Sequence, residues 1–268
     1  MPRKYVDAFG LAVHCVHTGP TTLPDVAPAV DRGHLFVLVH GAGRNAGDWQ
    51  RQLDGLGAAH AAVALDLPGH GRSPQVEGCA SVEAYADVLD RVVERLALRR
   101  GVLVGWDLGA AIAAVAALRR PARWRGLVLV APLVGPVDAA TRAVVHDVVR
   151  GRRPQHFDTA PFAPSTAPDV MRAVWTQQVM TDPRVLHGDL LVADAFDWAP
   201  VAEALRLPTL MVAGADDRLT PPADAAALAS RIAGARVETV ADAGHALLAE
   251  QPVALEALLV GFAAEVPA

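Results

Sequence analysis

Gly101-Val102-Leu103-Val104-Gly105-Trp106-Asp107-Leu108-Gly109-Ala110-Ala111-Ile112-Ala113-Ala114 is the stretch on which the reading of this 268-residue chain turns. The apolar run 101–105 has the length and boundaries of a buried strand, and an alanine-rich helical pattern follows over 108–119 until Pro121 stops it. Strand and helix meet in a turn only a few residues long, with Asp107 at its apex. Such a turn needs small residues two places to either side, because the backbone folds back on itself there; Gly105 and Gly109 occupy both places. The turn aims the central side chain outward at the head of a helix, where free N–H groups and the helix dipole stabilise negative charge.

The same alternation extends in both directions. Strands are expected over 5–8, 11–18, 35–39 and 61–65 before the central unit, and over 127–130, 209–213 and 236–240 after it. Helices are expected over 45–56, 81–97, 222–232 and 253–262, the second with a cap signal in Ser81-Val82-Glu83. A proline-rich stretch, 19–33, reads as a surface loop. Alternating strands and helices specify a mostly parallel, eight-stranded sheet with flanking helices, an α/β fold. The rhythm lapses between 134 and 207, where helical patterns (138–150, 169–180, 186–196) are separated by joints such as Phe157-Asp158-Thr159-Ala160-Pro161. This block reads as a helical lid inserted into a single core domain made of 1–133 and 208–268.

Bulk composition narrows the function classes. The chain is 52% hydrophobic and 20% charged, with a net charge of -5, which suits a globular protein with a sizeable core. It offers no electrostatic case for nucleic acid or an anionic membrane. The start, Met1-Pro2-Arg3-Lys4-Tyr5-Val6-Asp7, has no apolar run behind its basic residues and does not read as a signal peptide. The apolar stretch 108–118 is far shorter than the ~20 residues of a membrane span. Cys15 and Cys79 fit neither a metal nor a redox motif, the ten histidines form no ligand pair, and a cytoplasmic location follows as the expectation. Nothing calls for a metal or a cofactor; the expected partner is a small-molecule substrate.

Three more pieces follow strands in order. His40-Gly41-Ala42-Gly43 follows the strand at 35–39, and its N–H groups can face the turn at Asp107. Gly214-Ala215-Asp216-Asp217 offers a carboxylate, and Ala243-Gly244-His245 an imidazole. All lie at the C-terminal edge of the sheet, where sites of such folds are built. Together with Asp66-Leu67-Pro68-Gly69-His70-Gly71-Arg72-Ser73, these motifs resemble the α/β-hydrolase superfamily from about residue 34 to 262. The resemblance implies Asp107 at the nucleophile's place on the elbow, His245 as base, and Asp217 as orienting acid, with Asp216 the competitor for that last role. Backbone N–H groups of Ala42 and Leu108 would form the oxyanion hole. His40 and His70 read as structural. Trp106, Trp175 and Trp198 are candidates to contact substrate, and Phe157, Phe162, Met171 and Met180 could line an apolar pocket or pack in a core. The arginines at 150, 152 and 153 read as a solvated helix end.

An aspartate at the elbow makes a chemical demand. As a residue type it ionises near pH ~3.9 and needs no deprotonation to act as a nucleophile. Attack on an ester would give an anhydride, a poor intermediate. Attack on a saturated carbon bearing a halide or epoxide oxygen gives an alkyl-aspartate ester, which water activated by His245 then hydrolyses. This resembles the dehalogenases and epoxide hydrolases of the superfamily, but with departures. Haloalkane dehalogenases place Trp after the nucleophile and haloacetate dehalogenases Arg; here it is Leu108. Epoxide hydrolases use lid tyrosines, yet Tyr5 and Tyr85 both fall outside the lid. The rest of the chain, Leu108 included, looks like serine enzymes that cleave esters, lactones or carbon–carbon bonds. Two alternatives therefore stand beside the Asp-nucleophile reading: a serine-type hydrolase relative whose serine has become Asp107, with lost or altered activity, and a non-hydrolytic acid/base enzyme or binding protein.

Overall fold

The computed structural model describes residues 1–23, 26–73 and 77–267; positions 24 and 25 of the expected proline-rich loop lie outside them. Eight strands form one sheet: β1 (Arg3–Ala8), β2 (Leu11–His17), β3 (Leu35–Val39), β4 (Ala61–Leu65), β5 (Gly101–Trp106), β6 (Trp124–Val130), β7 (Thr209–Gly214) and β8 (Arg236–Val240), in the order β1-β2-β4-β3-β5-β6-β7-β8. The β1–β2 hairpin runs antiparallel at one edge, and β4 through β8 pair in parallel. β3, β4 and β5 are buried along their whole length, as strands covered on both faces must be, which is why their sequence reads as unbroken apolar runs.

Alternation along each strand sends residues to two cores. Val37, Val39 and Leu103 face the layer holding α2 (Val82–Arg95) and α3 (Leu108–Arg119). Phe36, Leu38, Val102 and Val104 face the layer of α1 (Gln50–Leu56) and the C-terminal helix. α3 is buried from Leu108 to Ala117; its alanines let the helix lie close on the sheet, with the deeper packing left to Leu108 and Ile112. A Cβ on Gly105 would run into the carbonyl oxygen of Gly109, and one on Gly109 into the carbonyl of His40. The two glycines therefore permit the close strand–helix approach that the sequence implied.

Between β6 and β7 the chain forms α4 (Ala139–Val149), α5 (Pro168–Gln178), α6 (Pro183–Ala195) and α7 (Trp198–Ala204). The last of these was not expected; it is short, and only Asp197, whose side chain accepts the Ala199 N–H, marks its start. After β7 come α8 (Pro222–Ala229), α9 (Leu247–Glu250) and α10 (Pro252–Glu265). The helix expected over 45–56 begins instead as a 3₁₀ turn, Ala46–Trp49, capped by Asn45 and Asp48, before α1 takes over. The β6 strand starts at Trp124, earlier than its apolar run suggested. Among the described residues no helix is long and apolar enough to cross a membrane.

Candidate active site

Asp107 stands between β5 and α3 with φ 57° and ψ -121°, a left-handed conformation for a residue with a Cβ, of a kind that costs ~1–3 kcal/mol and persists where surrounding packing imposes it. Here β5 and α3 impose it, and the carboxylate is thrust up from the sheet edge. Its Oδ1 accepts the backbone N–H of Ala42 at 2.7 Å. Its Oδ2 forms an ion pair with Nε2 of His245 at 3.2 Å. Gly41 is obligatory beside it, since a Cβ there would sit 2.7 Å from both Cβ and Oδ1 of Asp107. Leu108 heads α3, where its N–H has no intrahelical acceptor.

His245 is buried, and its Nδ1 lies 3.0 Å from Oδ2 of Asp217. Of the two adjacent aspartates it is therefore Asp217, not Asp216, that meets the imidazole. Asp217 also accepts the N–H groups of Leu219 and Thr220, both at 2.9 Å, and the Thr220 hydroxyl at 2.7 Å. Burial works to raise its pKa, but His245 and the Thr220 donors outweigh it and hold the carboxyl below its ordinary range. For His245 burial works downward, and the bonds to Asp107 and Asp217 reverse it, holding the pKa up at about 10. The imidazole thus lies in a row between the two carboxyl groups, Asp107 on its Nε2 and Asp217 on its Nδ1.

The loop carrying the histidine is tied from several sides. Its own N–H donates to Pro161 O at 2.7 Å, and the Gly244 N–H donates to Glu250 Oε2 at 2.9 Å. The indole N–H of Trp106 donates to the His245 carbonyl at 3.1 Å. Thr220 and Glu250 were not singled out in the sequence; a threonine three places after the acid was the available sign for the first.

Over this row lies a cavity of about 380 Å³. Ala42, Trp106, Asp107 and His245 form its floor, Val144, Val145 and Val148 of α4 and Leu186 and Leu190 of α6 part of its wall. Phe157, Phe162 and Trp175 also line it, the Trp175 ring set edge-on to Phe157. Polar groups are few: Arg44, Gln178, Gln155, His156, Thr141 and Asp158. Arg44 stacks over the Trp106 ring at 5.3 Å and pairs with Asp48.

Of the three tryptophans expected at substrate, two line this cavity and Trp198 does not. It is 6% exposed, packs within the core against Phe196, and donates its indole N–H to Leu133 O at 2.9 Å. Its position at the head of α7 turns it toward the sheet layer. Met171 packs beside the Phe162–Val174 cluster, and Met180 is exposed. His40 and His70 lie in a separate buried pair with ring centroids 4.8 Å apart. Among the described residues no group of three or more potential ligand side chains could hold a metal ion.

With the elbow, the acid and the histidine in place on this sheet, the family is defined: a model of the alpha/beta hydrolase family matches residues 36–258, and the chain belongs to that family. It is 30% identical over 245 residues to the polyketide synthase ThaQ of Burkholderia thailandensis, a match covering 86% of this chain and 12% of that much longer protein. It is 28% identical over 252 residues to the pimeloyl-[acyl-carrier protein] methyl ester esterase of Yersinia enterocolitica, covering 85% of this chain and 92% of the relative. In structure it resembles the enol-lactonase from Burkholderia xenovorans LB400, with TM-score 0.81 at 22% identity, covering 97% of this chain and 100% of the other.

Proposed function

We propose that this protein is an α/β-fold hydrolase in which Asp107 itself is the nucleophile, attacking a saturated carbon that carries a halide or epoxide oxygen on a small, largely apolar substrate. One observation carries the reading: the Ala42 N–H is bonded to Oδ1 of Asp107. A backbone donor at an elbow serves whichever oxygen becomes negative in the tetrahedral intermediate. Here that donor is already on the aspartate's own oxygen, the arrangement needed to hydrolyse an ester built on Asp107. The same bond leaves no room at Ala42 for the carbonyl oxygen of an incoming ester.

In the first step Oδ2 attacks carbon, the carbon–halogen or carbon–oxygen bond breaks, and the leaving group takes the electron pair. Gln178 and His156 are lining residues with N–H groups to receive that anion; the Trp106 N–H is committed to the His245 carbonyl and the Arg44 guanidinium to Asp48, Gln178 and Val174. Esterification removes one of the two negative charges that hold the proton on His245, so its pKa falls and the imidazole becomes a base. The released proton completes HX, or neutralises the alkoxide of an opened epoxide. Water then attacks Cγ of the ester and gives its proton to Nε2 of His245. Oδ1 carries the developing charge against the N–H groups of Ala42 and Leu108, and collapse expels the product alcohol with the proton from His245. Asp217 keeps Nδ1 protonated and the ring in register. The helices of 134–207 act as the lid over the core formed by 1–133 and 208–268, supplying the apolar wall that keeps bulk water from the nucleophile.

The test is a single turnover in oxygen-18 water with haloalkanes, haloacids and epoxides. Label in the Asp107 peptide is expected; product formed without label there sinks the reading. A second reading rests on the relatives: the resemblance to an esterase over 92% of its length supports descent from a serine-type ester or lactone hydrolase, with Asp107 in the serine's place and ester cleavage lost.

A further inference from the structure

Asp189 lies on α6 and is 1% exposed. Its Oδ2 accepts the Gly43 N–H at 2.8 Å and meets Nε2 of His70 at 2.7 Å, while its Oδ1 accepts the Tyr85 hydroxyl at 2.6 Å. The other ring nitrogen of His70, Nδ1, lies 2.9 Å from the Pro68 carbonyl oxygen, which can only accept. Both nitrogens thus face acceptors, and the ring carries two protons and a positive charge. Burial disfavours that charge, and Asp189 more than offsets it, so the His70 pKa is raised. The neighbouring His40 is kept neutral, its pKa lowered to about 3 by burial and by the charge on His70, and it accepts the Leu67 N–H at 3.0 Å.

This buried pair reaches the site through one residue. Gly43 follows Ala42 directly, and its left-handed φ of 63° bends the loop so closely under α6 that a Cβ would lie 2.8 Å from Leu186 Cδ1. We infer that Asp189 is a positioning residue: fixed between the His70 ring and the Tyr85 hydroxyl, it holds the Gly43 amide and so aims the Ala42 N–H at Oδ1 of Asp107. Its helix also carries Leu186 and Leu190 in the cavity wall, so the pocket wall and the oxyanion donor are set from one element. The inference rests on the proposed role of the Ala42 N–H as an oxyanion donor.

The test uses the full chain, isotope-labelled, with Asp189→Asn and the milder Tyr85→Phe. The first readout is hydrogen exchange at the Ala42 amide relative to amides of β5, which needs no substrate. Exchange faster by roughly tenfold in Asp189→Asn and by about threefold in Tyr85→Phe is expected, the scale of losing all or part of one bond's support. The second is the pair of rates for forming and hydrolysing the alkyl-enzyme: hydrolysis should slow by roughly tenfold while formation changes much less, because the oxyanion develops in hydrolysis. Ala42 exchange that merely follows β5, or two steps slowed equally, overturns the inference. Should Asp189→Asn fail to fold, Tyr85→Phe decides alone. Should the parent form no alkyl-enzyme, the functional reading fails, and the Ala42 amide still decides the positioning role.

Discussion

Oδ1 of Asp107 and the backbone N–H of Ala42 are joined at 2.7 Å, so the elbow carboxylate and the backbone donor facing it satisfy one another. In a serine hydrolase that donor must be free for the carbonyl oxygen of the substrate. Exchanging the aspartate for serine should therefore change the reaction class. Asp107→Ser is expected to gain cleavage of short aryl esters that the parent lacks, read as nitrophenol release. Comparable esterase rates in parent and variant would remove the basis for placing Asp107 in the nucleophile's role.

His245→Gln should separate the two halves of the reaction. The carboxylate attack needs no base, whereas hydrolysis of the ester does, so the variant should stop with the alkyl group on Asp107. Intact-protein mass spectrometry would then find a stoichiometric adduct with a slow product rate, lower by about 10²-fold or more. Full turnover with no adduct would mean that another group activates water.

The His245 ion pairs also predict a pH dependence of stability. The folded pKa, about 10, lies above the ordinary value of 6.5, so this group's contribution is fully present below pH 6.5 and is lost as pH rises toward 10. Asp217 works at the other end: its folded pKa is lowered, so its contribution is present above the ordinary carboxyl pKa and lost as pH falls through the folded one. Melting temperature should decline between pH 7 and 10 in the parent and decline less in His245→Gln. Identical slopes would show that the imidazolium is not held as described.

Two tryptophans should part company. Trp198→Ala removes a buried side chain from the core and should cost ~3–5 kcal/mol in urea unfolding. Trp175→Ala acts on the cavity wall, where the ring is half-buried, and should alter KM or substrate preference with much less effect on unfolding. The reverse pattern would move Trp198 back to the substrate.

Gly105→Ala tests the elbow's close approach. The new methyl would meet backbone of Gly109 and Ala110 rather than a side chain able to turn aside, so a loss of ~2–4 kcal/mol is expected, typical of overpacking and backbone clash. A variant of parental stability would mean that the turn has slack.

Much of this molecule could be read in the chain. The strands around Val37, Leu103 and Val212 are legible because burial on both faces leaves unbroken apolar runs. Asp107 and Asp217 are legible because each follows such a run at the same edge of the sheet, whereas His245 follows the mostly exposed strand β8 and is marked by Ala243-Gly244 before it and by its place in the chain order. Trp198 is different: helical periodicity tells which residues point inward, but this fold has two interiors, a core and a cavity, and the period does not say which one a ring faces. Asp189 was invisible for another reason. A lone acid on a helix reads as solvated, and its partners His70 and Tyr85 stand 119 and 104 residues away in sequence. The reaction class rests on Asp107 alone, while Leu108 and the bulk of the chain resemble serine enzymes, and its relatives include an esterase and a polyketide synthase.

The bond from the Trp106 indole to the His245 carbonyl at 3.1 Å makes the residue before Asp107 a strut to the loop that carries His245. Elbow and histidine are then two ends of a single rigid span, and their separation is set when the chain folds. In the proposed reaction such a span would lower the reorganisation needed between the two half-reactions, since neither partner would have to search for the other after the substrate is attached. It also means that damage to the indole would be felt across the span, as a His245 ring out of register with Asp107.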